Sequence, residues 1–371
     1  PVTPRSRGMA EPLGHVLRPG QIGQLTLPHR VIMGAMHLGL ETVDDGGAAL
    51  AAFYTERTRG GAGLMVTGGA AVNAAGAGGS RYGVLSDDAF AARLARVVDA
   101  VHAADGLIAL QLFHAGRYAP PGPAGPVAPS AVFSRISGRE PVALTDKQIR
   151  ATIDDFGRGA ALGCELGFDA IEIMASEGYL IDQFLSPVTN HRDDAWGGDA
   201  GRRRRFGVEV TRRVRAAADH RVPVIARFTG ADLMDGGVPP EDAIEFGQAL
   251  AAAGADALNI GVGWHESPVP TVQAIVPPGA WIPVAAAIKR GVSTVPVIAS
   301  NRINRLEMAE RVLAEGHADF VSLARPFLAD PLLIESSRRA RAVNVCIGCN
   351  QACIDRSLDD SGPTVSCLVN P

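Results

Sequence analysis

Short apolar runs alternate along this chain with longer amphipathic stretches. Eight runs are almost uninterrupted by polar residues, which is typical of parallel strands buried on both faces. They predict strands at 31–36, 64–69, 107–113, 170–174, 224–229, 257–263, 295–300 and 320–326. The intervening stretches have helical periodicity. They predict helices at 48–59, 91–104, 145–166, 202–218, 241–253, 282–289 and 304–315.

Cap residues stand where these elements should begin and end. Thr145 and Asp146 stand where the helix predicted at 145–166 should begin, as N-cap residues do. Gly167, Gly254 and Gly316 follow helical stretches, where glycine is the usual C-terminal residue. Eight strand–helix units predict a (β/α)8 TIM barrel, an α/β fold. A doubly wound open sheet is the alternative, because strand number alone does not show closure.

Three segments lie outside the repeating pattern. Residues 1–12 have no periodicity and predict a flexible N-terminus, and residues 13–29 predict a hairpin that caps the N-terminal end of the barrel. The loop 116–137 is rich in Pro and Gly and too long for a simple connection, which indicates a function. We therefore expect a barrel domain at 13–340 and a cysteine-rich, cluster-binding extension at 341–371.

Composition narrows the class of protein. The chain has 371 residues, of which 47% are hydrophobic and 20% charged, so it can bury a large core. A net charge of −4 argues against nucleic acid or an anionic membrane as a partner. No apolar run approaches the roughly 20 residues of a membrane-spanning helix, and no signal peptide opens the sequence. We expect a cytoplasmic protein with a small-molecule substrate, and homo-oligomerisation is left open.

Four of the five cysteines form a C-terminal pattern, C-x2-C-x3-C-x13-C. Thiolates in such a pattern bind structural zinc or an iron–sulfur cluster. Zinc sites usually divide their cysteines into two C-x2-C pairs, so the compressed spacing favours a 4Fe–4S cluster. A disulfide with spare thiols is the third interpretation, and a reducing cytoplasm argues against it. The candidate ligands are Cys346, Cys349, Cys353 and Cys367.

Charged residues at predicted strand ends indicate an anionic ligand, because barrel enzymes build their sites there. Arg227 lies within the apolar run 224–229, and a buried cation needs an anion or an electron-rich acceptor. Its partner is either a core carboxylate or the pyrimidine edge of a flavin, to which Gln111 could also donate. Arg302 and Arg325 follow the last two strands and form either a phosphate site or surface ion pairs.

Two further residues are candidates for proton transfer. Tyr179 follows the fourth predicted strand, and a phenol can protonate carbon when a neighbour stabilises the phenolate. A tyrosine packed beneath a loop is the alternative. His265 lies in a glycine-rich loop and could donate to a substrate carbonyl or share the proton transfer with Tyr179.

Together and in this order, these residues resemble the Old Yellow Enzyme superfamily of FMN-dependent barrels. The branch is that of bacterial 2,4-dienoyl-CoA reductase, trimethylamine dehydrogenase and the iron–sulfur enoate reductases. The resemblance extends from about residue 13 to the end. The matching segments are 24–37, 176–186, 190–198, 263–266, 300–304, 324–328, 346–353 and 367–371.

The resemblance implies a set of cofactor contacts. A 4Fe–4S cluster on the four C-terminal cysteines would pass single electrons to FMN, which converts them into a hydride. The implied FMN contacts are Gly34, Ala35, Met36, Gly68, Gln111, Arg227, Asn301, Arg302, Ala324 and Arg325.

The same resemblance implies an ene-reductase acting on an activated C=C bond, such as an enoyl or dienoyl thioester (2,4-dienoyl-CoA, for example). Tyr179 would be the proton donor, His265 would assist, and Glu177 would help to position or polarise the substrate. The implied substrate contacts are His37, Asn190, His191 and Glu266.

The chain departs from the pattern in three places. Met174 and Glu177 stand where the simpler Old Yellow Enzymes have the two residues that hold a substrate carbonyl. The spacing before Cys367 is two residues longer than in the reductase branch. The relatives continue into FAD- and NAD(P)H-binding domains, and no G-x-G-x-x-G following a strand replaces them.

We therefore expect FAD and NAD(P)H only on a further part of a longer polypeptide or on an electron-donating partner. The chain by itself should hold FMN and iron but oxidise NAD(P)H slowly. An amine dehydrogenase of the trimethylamine dehydrogenase type is the second interpretation, which an aromatic cage would support. Aromatic residues make up only 5% of the chain, which gives little sign of one. The third interpretation is a phosphate-binding barrel that is stabilised by structural zinc and has no redox chemistry.

Overall fold

The computed structural model of the protein describes residues 13–122, 125–359 and 362–371. Residues 1–12, predicted to be flexible, lie outside the described residues. The strands are β1 (Gly20–Ile22), β2 (Leu25–Leu27), β3 (Val31–Met33), β4 (Leu64–Val66), β5 (Ala70–Ala71), β6 (Ile108–Phe113), β7 (Val127–Ala128), β8 (Val142–Ala143), β9 (Ala170–Ala175), β10 (Val224–Ala231), β11 (Ala257–Val262), β12 (Val297–Ala299) and β13 (Phe320–Leu323).

Eight parallel strands close into a barrel. Their order is β3, β4, β6, β9, β10, β11, β12 and β13, and β13 pairs again with β3. Because β4 pairs with both β3 and β6, the sheet has no open edge. The TIM barrel prediction is confirmed, and the open-sheet alternative is excluded. The barrel strands are completely buried apart from partly buried Arg227 and Ala231 in β10, which explains their apolar sequences.

Helices surround the barrel. They are α1 (Ala48–Arg59), α2 (Asp88–His102), α3 (Asp146–Glu165), α4 (Leu180–Leu185), α5 (Ala200–Ala218), α6 (Pro240–Ala252), α7 (Ile282–Gly291), α8 (Leu306–Ala314), α9 (Arg325–Ala329), α10 (Leu333–Arg338) and α11 (Ile354–Ser357). All seven predicted helices are present, and Thr145 caps α3 with a capping box. Within the described residues, no helix has both the length and the apolar character needed to cross a membrane.

Three predicted strands end three residues earlier than expected. The first, predicted at 31–36, ends at Met33. The second barrel strand ends at Val66, so Gly68 lies beyond it. The eighth strand, predicted at 320–326, ends at Leu323, and α9 begins two residues later at Arg325. Pro at the second position of α9 cannot donate to a strand ladder and favours the start of a helix.

The predicted N-terminal hairpin is present and closes one end of the barrel. Strands β1 and β2 pair antiparallel, and Ile22 and Leu27 are completely buried. Both side chains pack in one apolar cluster with residues at the beginnings of the barrel strands, such as Leu64 and Ile225. The opposite end, where the strands finish, is left for the site.

The C-terminal extension folds back onto the loops at that opposite end. Val365 N donates to Leu38 O (2.9 Å), beyond β3, and Asn304 beyond β12 donates to Cys346 O (3.1 Å). Arg325 donates to the Asn350 side chain at 2.5 Å. The cysteine-rich segment therefore lies beside the loops that carry the predicted phosphate contacts.

Candidate active site

A tight turn after β9 presents Glu177 and Tyr179. Glu177 and Gly178 both have left-handed backbone conformations (φ 64° and 86°). A Cβ on Gly178 would collide with the Tyr118 hydroxyl, so glycine is required there. Thr229 Oγ1, on the neighbouring strand β10, accepts a hydrogen bond from Glu177 N at 2.9 Å. These contacts fix the turn against the barrel.

Tyr179 and His265 form a hydrogen-bonded pair. The Tyr179 hydroxyl lies 2.9 Å from His265 Nε2, and His265 N donates to Glu177 O at 3.2 Å. Burial raises the pKa of the Tyr179 phenol well above its ordinary value, and the nearby Tyr82 and Glu177 raise it further. Tyr179 therefore keeps its proton at neutral pH, as a proton donor must.

Arg227 forms an ion pair with Glu177, with Nη2 2.5 Å from Oε1. The sequence left two partners open for Arg227, a core carboxylate and a flavin, and the structure shows a carboxylate. Burial by itself would raise the pKa of Glu177, but Arg227 and His265 outweigh burial and hold that pKa below its ordinary value. Glu177 is therefore charged at neutral pH.

A buried polar layer crosses the barrel beneath this pair. Glu172 accepts hydrogen bonds from Gln111 Nε2 and Asn259 Nδ2, both at 2.8 Å. Burial raises the pKa of Glu172, and neighbouring Arg227 opposes that shift without cancelling it. Sequence reasoning missed Glu172 and Asn259. The signal was available, because each is a polar residue within an apolar run, as Arg227 is.

Aromatic side chains line the same end of the barrel. Ring centroids lie 3.9 Å apart for stacked His37 and Tyr82, 5.3 Å for Tyr82 and Phe113, and 4.6 Å for Phe113 and Tyr179. Tyr118 follows at 5.9 Å from Tyr179. Three of the four tyrosines of the chain therefore gather at one place. The low aromatic content gave little sign of an aromatic cage for an amine, and whether these rings form one stays a prediction.

Glu266, a predicted substrate contact, fastens two loops together. Its carboxylate forms an ion pair with Arg117 and accepts hydrogen bonds from the Tyr118 hydroxyl and Arg135 N, both at 3.0 Å. The loop 116–137 is thereby held against the loop that follows β11. Contact between Glu266 and a substrate stays a prediction.

Asn190 and His191 lie on the loop after α4. The Asn190 amide donates to Phe184 O (2.6 Å) and Trp196 O (2.8 Å), which organises that loop. His191 is exposed, and its backbone N donates to Ser130 Oγ at 3.0 Å. Their substrate contacts stay predictions.

The predicted backbone contacts for the cofactor lie where strands β3 and β4 end. Gly34 N donates to Leu323 O at 3.1 Å, and a Cβ on Gly34 would lie 2.5 Å from Ser322 Oγ. A Cβ on Gly68 would lie 2.6 Å from Met36 O. Only glycine permits these close backbone approaches. Ala35 and Met36 continue the chain directly after Gly34.

Two arginines come together after β12 and β13. Burial and then the charge of Arg325 lower the pKa of Arg302. Within the described residues, neither Arg302 nor Arg325 has a carboxylate partner. The alternative in which they form surface ion pairs is therefore not what the structure shows. Asn301 and Arg302 adopt left-handed conformations (φ 63° and 60°), and Ala324 precedes α9. A pair of arginines without an acid fits a phosphate group.

The C-terminal cysteines are free thiols. Burial raises the pKa of Cys353, and the nearby Cys346 and Cys349 raise it further, while Arg325 lowers it. In the described part of the chain, no three His, Cys, Asp or Glu side chains are arranged to hold a metal ion. Cys346, Cys349 and Cys353 therefore lie near one another but do not form a ligand set with Cys367 in this conformation.

The barrel, its paired arginines and its buried polar layer are compatible with FMN, and the family to which the chain belongs defines a flavin-dependent oxidoreductase. The model of the NADH:flavin oxidoreductase / NADH oxidase family matches residues 15–344. The chain belongs to this FMN-dependent family, which agrees with the resemblance seen in the sequence.

Curated relatives agree with the family. The chain is 44% identical over 358 residues to a metal reductase of Desulforamulus reducens, covering 95% of this chain and 53% of the relative. It is 34% identical over 362 residues to an NADH oxidase of Thermoanaerobacter brockii, covering 95% and 55%. The chain thus spans about half the length of these relatives.

Solved structures show the same architecture. A 2-naphthoyl-CoA reductase in complex with 2-naphthoyl-CoA matches with a TM-score of 0.90 at 29% identity, covering 97% of this chain and 57% of that one. Histamine dehydrogenase from Rhizobium sp. 4-9 matches with a TM-score of 0.85 at 25% identity, covering 97% and 52%.

Proposed function

We propose that the protein is an FMN-dependent ene-reductase that reduces an activated C=C bond, with an enoyl or dienoyl thioester as substrate. The observation that carries this proposal is the hydrogen bond between the Tyr179 hydroxyl and His265 at the end of the barrel where the strands finish. Similarity to a reductase of an acyl-CoA supports the thioester.

Bound FMN supplies hydride transfer. Arg302 and Arg325 would hold its phosphate, and Arg227 and Gln111 would hold the polar edge of its ring. These four side chains come from barrel strands β6 and β10 and from the segments after β12 and β13. Under this proposal, the barrel would hold both ends of the cofactor.

The chain's own part in the chemistry is proton transfer. The Tyr179 hydroxyl gives its proton to the substrate carbon, and His265, 2.9 Å away, stabilises the resulting phenolate. The ion pair of Glu177 with Arg227 keeps the carboxylate from accepting that proton. The aromatic wall would shield one side of the reacting carbon from water.

Tyr179→Phe tests this assignment. Turnover of an enoyl-CoA such as crotonyl-CoA should fall by about 100-fold or more, the usual contribution of a general acid. Reduction of the flavin by dithionite should be unchanged, because it needs no phenol. The measurement is reoxidation of the reduced flavin by substrate without oxygen.

Tyr118→Phe is the matched control. It removes a hydroxyl from the same aromatic wall, but that hydroxyl donates to Glu266. Its loss of turnover should stay below about tenfold. Unimpaired turnover by Tyr179→Phe, or equal losses in both variants, would remove the assigned role. Enoyl-CoA esters, free enoates and enones should be compared as substrates.

Oxidation of an amine is the second candidate, and the aromatic wall favours it. Tyr82, Tyr118 and Tyr179 together with nearby Glu177 could hold a cationic substrate through ring faces and charge. Similarity to histamine dehydrogenase also supports it. Under this alternative, histamine or trimethylamine would bleach the oxidised flavin without oxygen, and no enoyl thioester would reoxidise it.

We also propose that the four C-terminal cysteines hold a 4Fe–4S cluster after the segment rearranges. The thiol-only ligand set and the proximity of Cys346, Cys349 and Cys353 support this proposal. Relatives of about twice the length support an electron-donating flavin and NAD(P)H unit on the same polypeptide or on a partner.

A further inference from the structure

Asp182 lies in the first turn of α4, directly behind the turn that carries Tyr179, and it is completely buried. Its Oδ2 accepts hydrogen bonds from Gly178 N (2.9 Å) and from Thr229 Oγ1 (2.7 Å). Thr229 Oγ1 in turn accepts from Glu177 N. One carboxyl oxygen therefore anchors both left-handed residues that precede Tyr179.

The other oxygen of Asp182 is buried and makes no hydrogen bond. Among the described residues no cation forms an ion pair with Asp182, and two acids, Glu177 and Asp232, face it. Burial, and then these two charges, raise the pKa of Asp182 to about 8, although the hydrogen bonds from Thr229 and Gly178 oppose the shift. The carboxyl is therefore uncharged near neutral pH.

The charge of Asp182 matters to the phenols around it. An ionised Asp182 raises the pKa of Tyr118, which lies beside Tyr179. The same negative charge would oppose the loss of the proton from Tyr179. An uncharged acid anchors the turn without that penalty.

We propose that Asp182 is a positioning residue for proton transfer by Tyr179. It fixes the Glu177–Gly178 turn through its hydrogen bonds and, while protonated, leaves the developing phenolate unopposed. This inference rests on the proposed role of Tyr179 as the proton donor. Asparagine at the same position would accept both hydrogen bonds but could never become charged.

Asp182→Asn therefore tests the charge separately from the hydrogen bonds. As pH rises through 8, wild-type Asp182 ionises and the protonation of the substrate slows, whereas the variant has no such change. The ratio of variant to wild-type rates for enoyl-CoA reduction should rise by about tenfold between pH 7 and pH 9.5, because a one-unit shift in a pKa is a tenfold change. A constant ratio would overturn the proposal.

A titration that needs no turnover separates this inference from the proposed function. Carbon NMR of the flavin-loaded wild type, with the signal assigned by its absence in Asp182→Asn, should show a carboxyl titrating near pH 8. Titration below pH 5 would overturn the inference, whatever the substrate. Absence of enoyl-CoA turnover together with titration near pH 8 would instead count against the proposed function.

Two further variants keep the test decisive if Asp182→Asn folds poorly. Thr229→Val removes the hydrogen bond from Glu177 N and the hydrogen bond to Asp182 but no charge, so its rate should be lower at every pH. Its decline should begin at a higher pH than in the wild type, because the hydrogen bond from Thr229 lowers the pKa of Asp182. Asp330→Asn is the matched buried-acid control, since Asp330 accepts from Leu332 N (2.9 Å) and Asn344 N (3.0 Å) on the far side of α9. Its profile should follow the wild type, and loss of the decline in either variant would contradict the assignment to Asp182.

Discussion

Arg227 lies between two acids inside the barrel. Glu177 forms an ion pair with Arg227. Glu172 lies in the polar layer beneath and acts on Arg227 through its charge, while Gln111 and Asn259 donate hydrogen bonds to its carboxylate. Burial of Arg227 would otherwise be costly, since an uncompensated buried charge destabilises a protein strongly. The two acids raise the pKa of Arg227 against the effect of burial, so it remains a cation.

Glu172→Gln should destabilise this layer. Gln111 and Asn259 each donate an amide N–H to one oxygen of Glu172. A glutamine at position 172 has only one oxygen, so its NH2 group would face one of these two donors without forming a hydrogen bond. The free energy of unfolding should fall by about 1–3 kcal/mol, the cost of a buried unsatisfied polar group. Denaturant titration measures this loss. Glu165→Gln, at an exposed position on α3, should leave the stability unchanged.

The candidate residues could be predicted from the sequence more easily than their partners. Tyr179 and His265 were predicted to share one task, and they lie in hydrogen-bonding contact. The partner of Arg227 depends on how β9, β10 and β11 align. These strands are far apart in the sequence, so their register cannot be predicted from any single segment. Nothing in the sequence indicated that Asp182 belongs to the site, because Asp is common in the first turn of a helix.

At the scale of elements, apolar contacts hold the inner face of the hairpin of β1 and β2, and Gln24 in its turn donates to His220 O and Arg221 O. Ile22→Ala should lower the free energy of unfolding by about 2–5 kcal/mol, because it opens a cavity at a completely buried position. FMN affinity should be unchanged, since the hairpin lies at the opposite end from the site.

Ile275→Ala is the matched control for that loss. Ile275 is 80% exposed, so its truncation should change stability by less than about 0.5 kcal/mol. Thermal and chemical denaturation of both variants would provide the comparison. Similar losses in both, or weakened FMN binding in Ile22→Ala, would contradict the role given to the hairpin.

Elements with an apolar pattern were predictable even where they are short, whereas two short helices were not. All eight barrel strands and seven helices follow from apolar patterning, although β3, β4 and β12 have only three residues each. The helices α4 and α9 have six and five residues, too few to show a period. Tertiary packing and local backbone preference determine these two helices instead. Every residue of α4 is buried, and Pro326 favours the start of α9.

At the scale of the whole molecule, the cysteine-rich extension lies against the same end of the barrel as the paired arginines. We expect the protein prepared without oxygen to contain FMN and about four iron atoms. Replacing Cys349 and Cys353 by serine should remove the iron but keep FMN, whose contacts lie on the barrel. Iron analysis and the visible spectrum measure both.

Cys164→Ser is the matched control for the iron measurement, because Cys164 lies on α3 away from the extension. It should keep wild-type iron and colour. Zinc in place of iron, a colourless protein, or iron that survives the double serine variant would each contradict the cluster.

The hairpin has one more consequence. The barrel interior is packed and the hairpin covers its other end, so a substrate can reach Tyr179 only from the side bordered by the loop that Glu266 holds. An electron donor that acts through the cysteine-rich extension would not need this opening, which is then used by the substrate and its product alone.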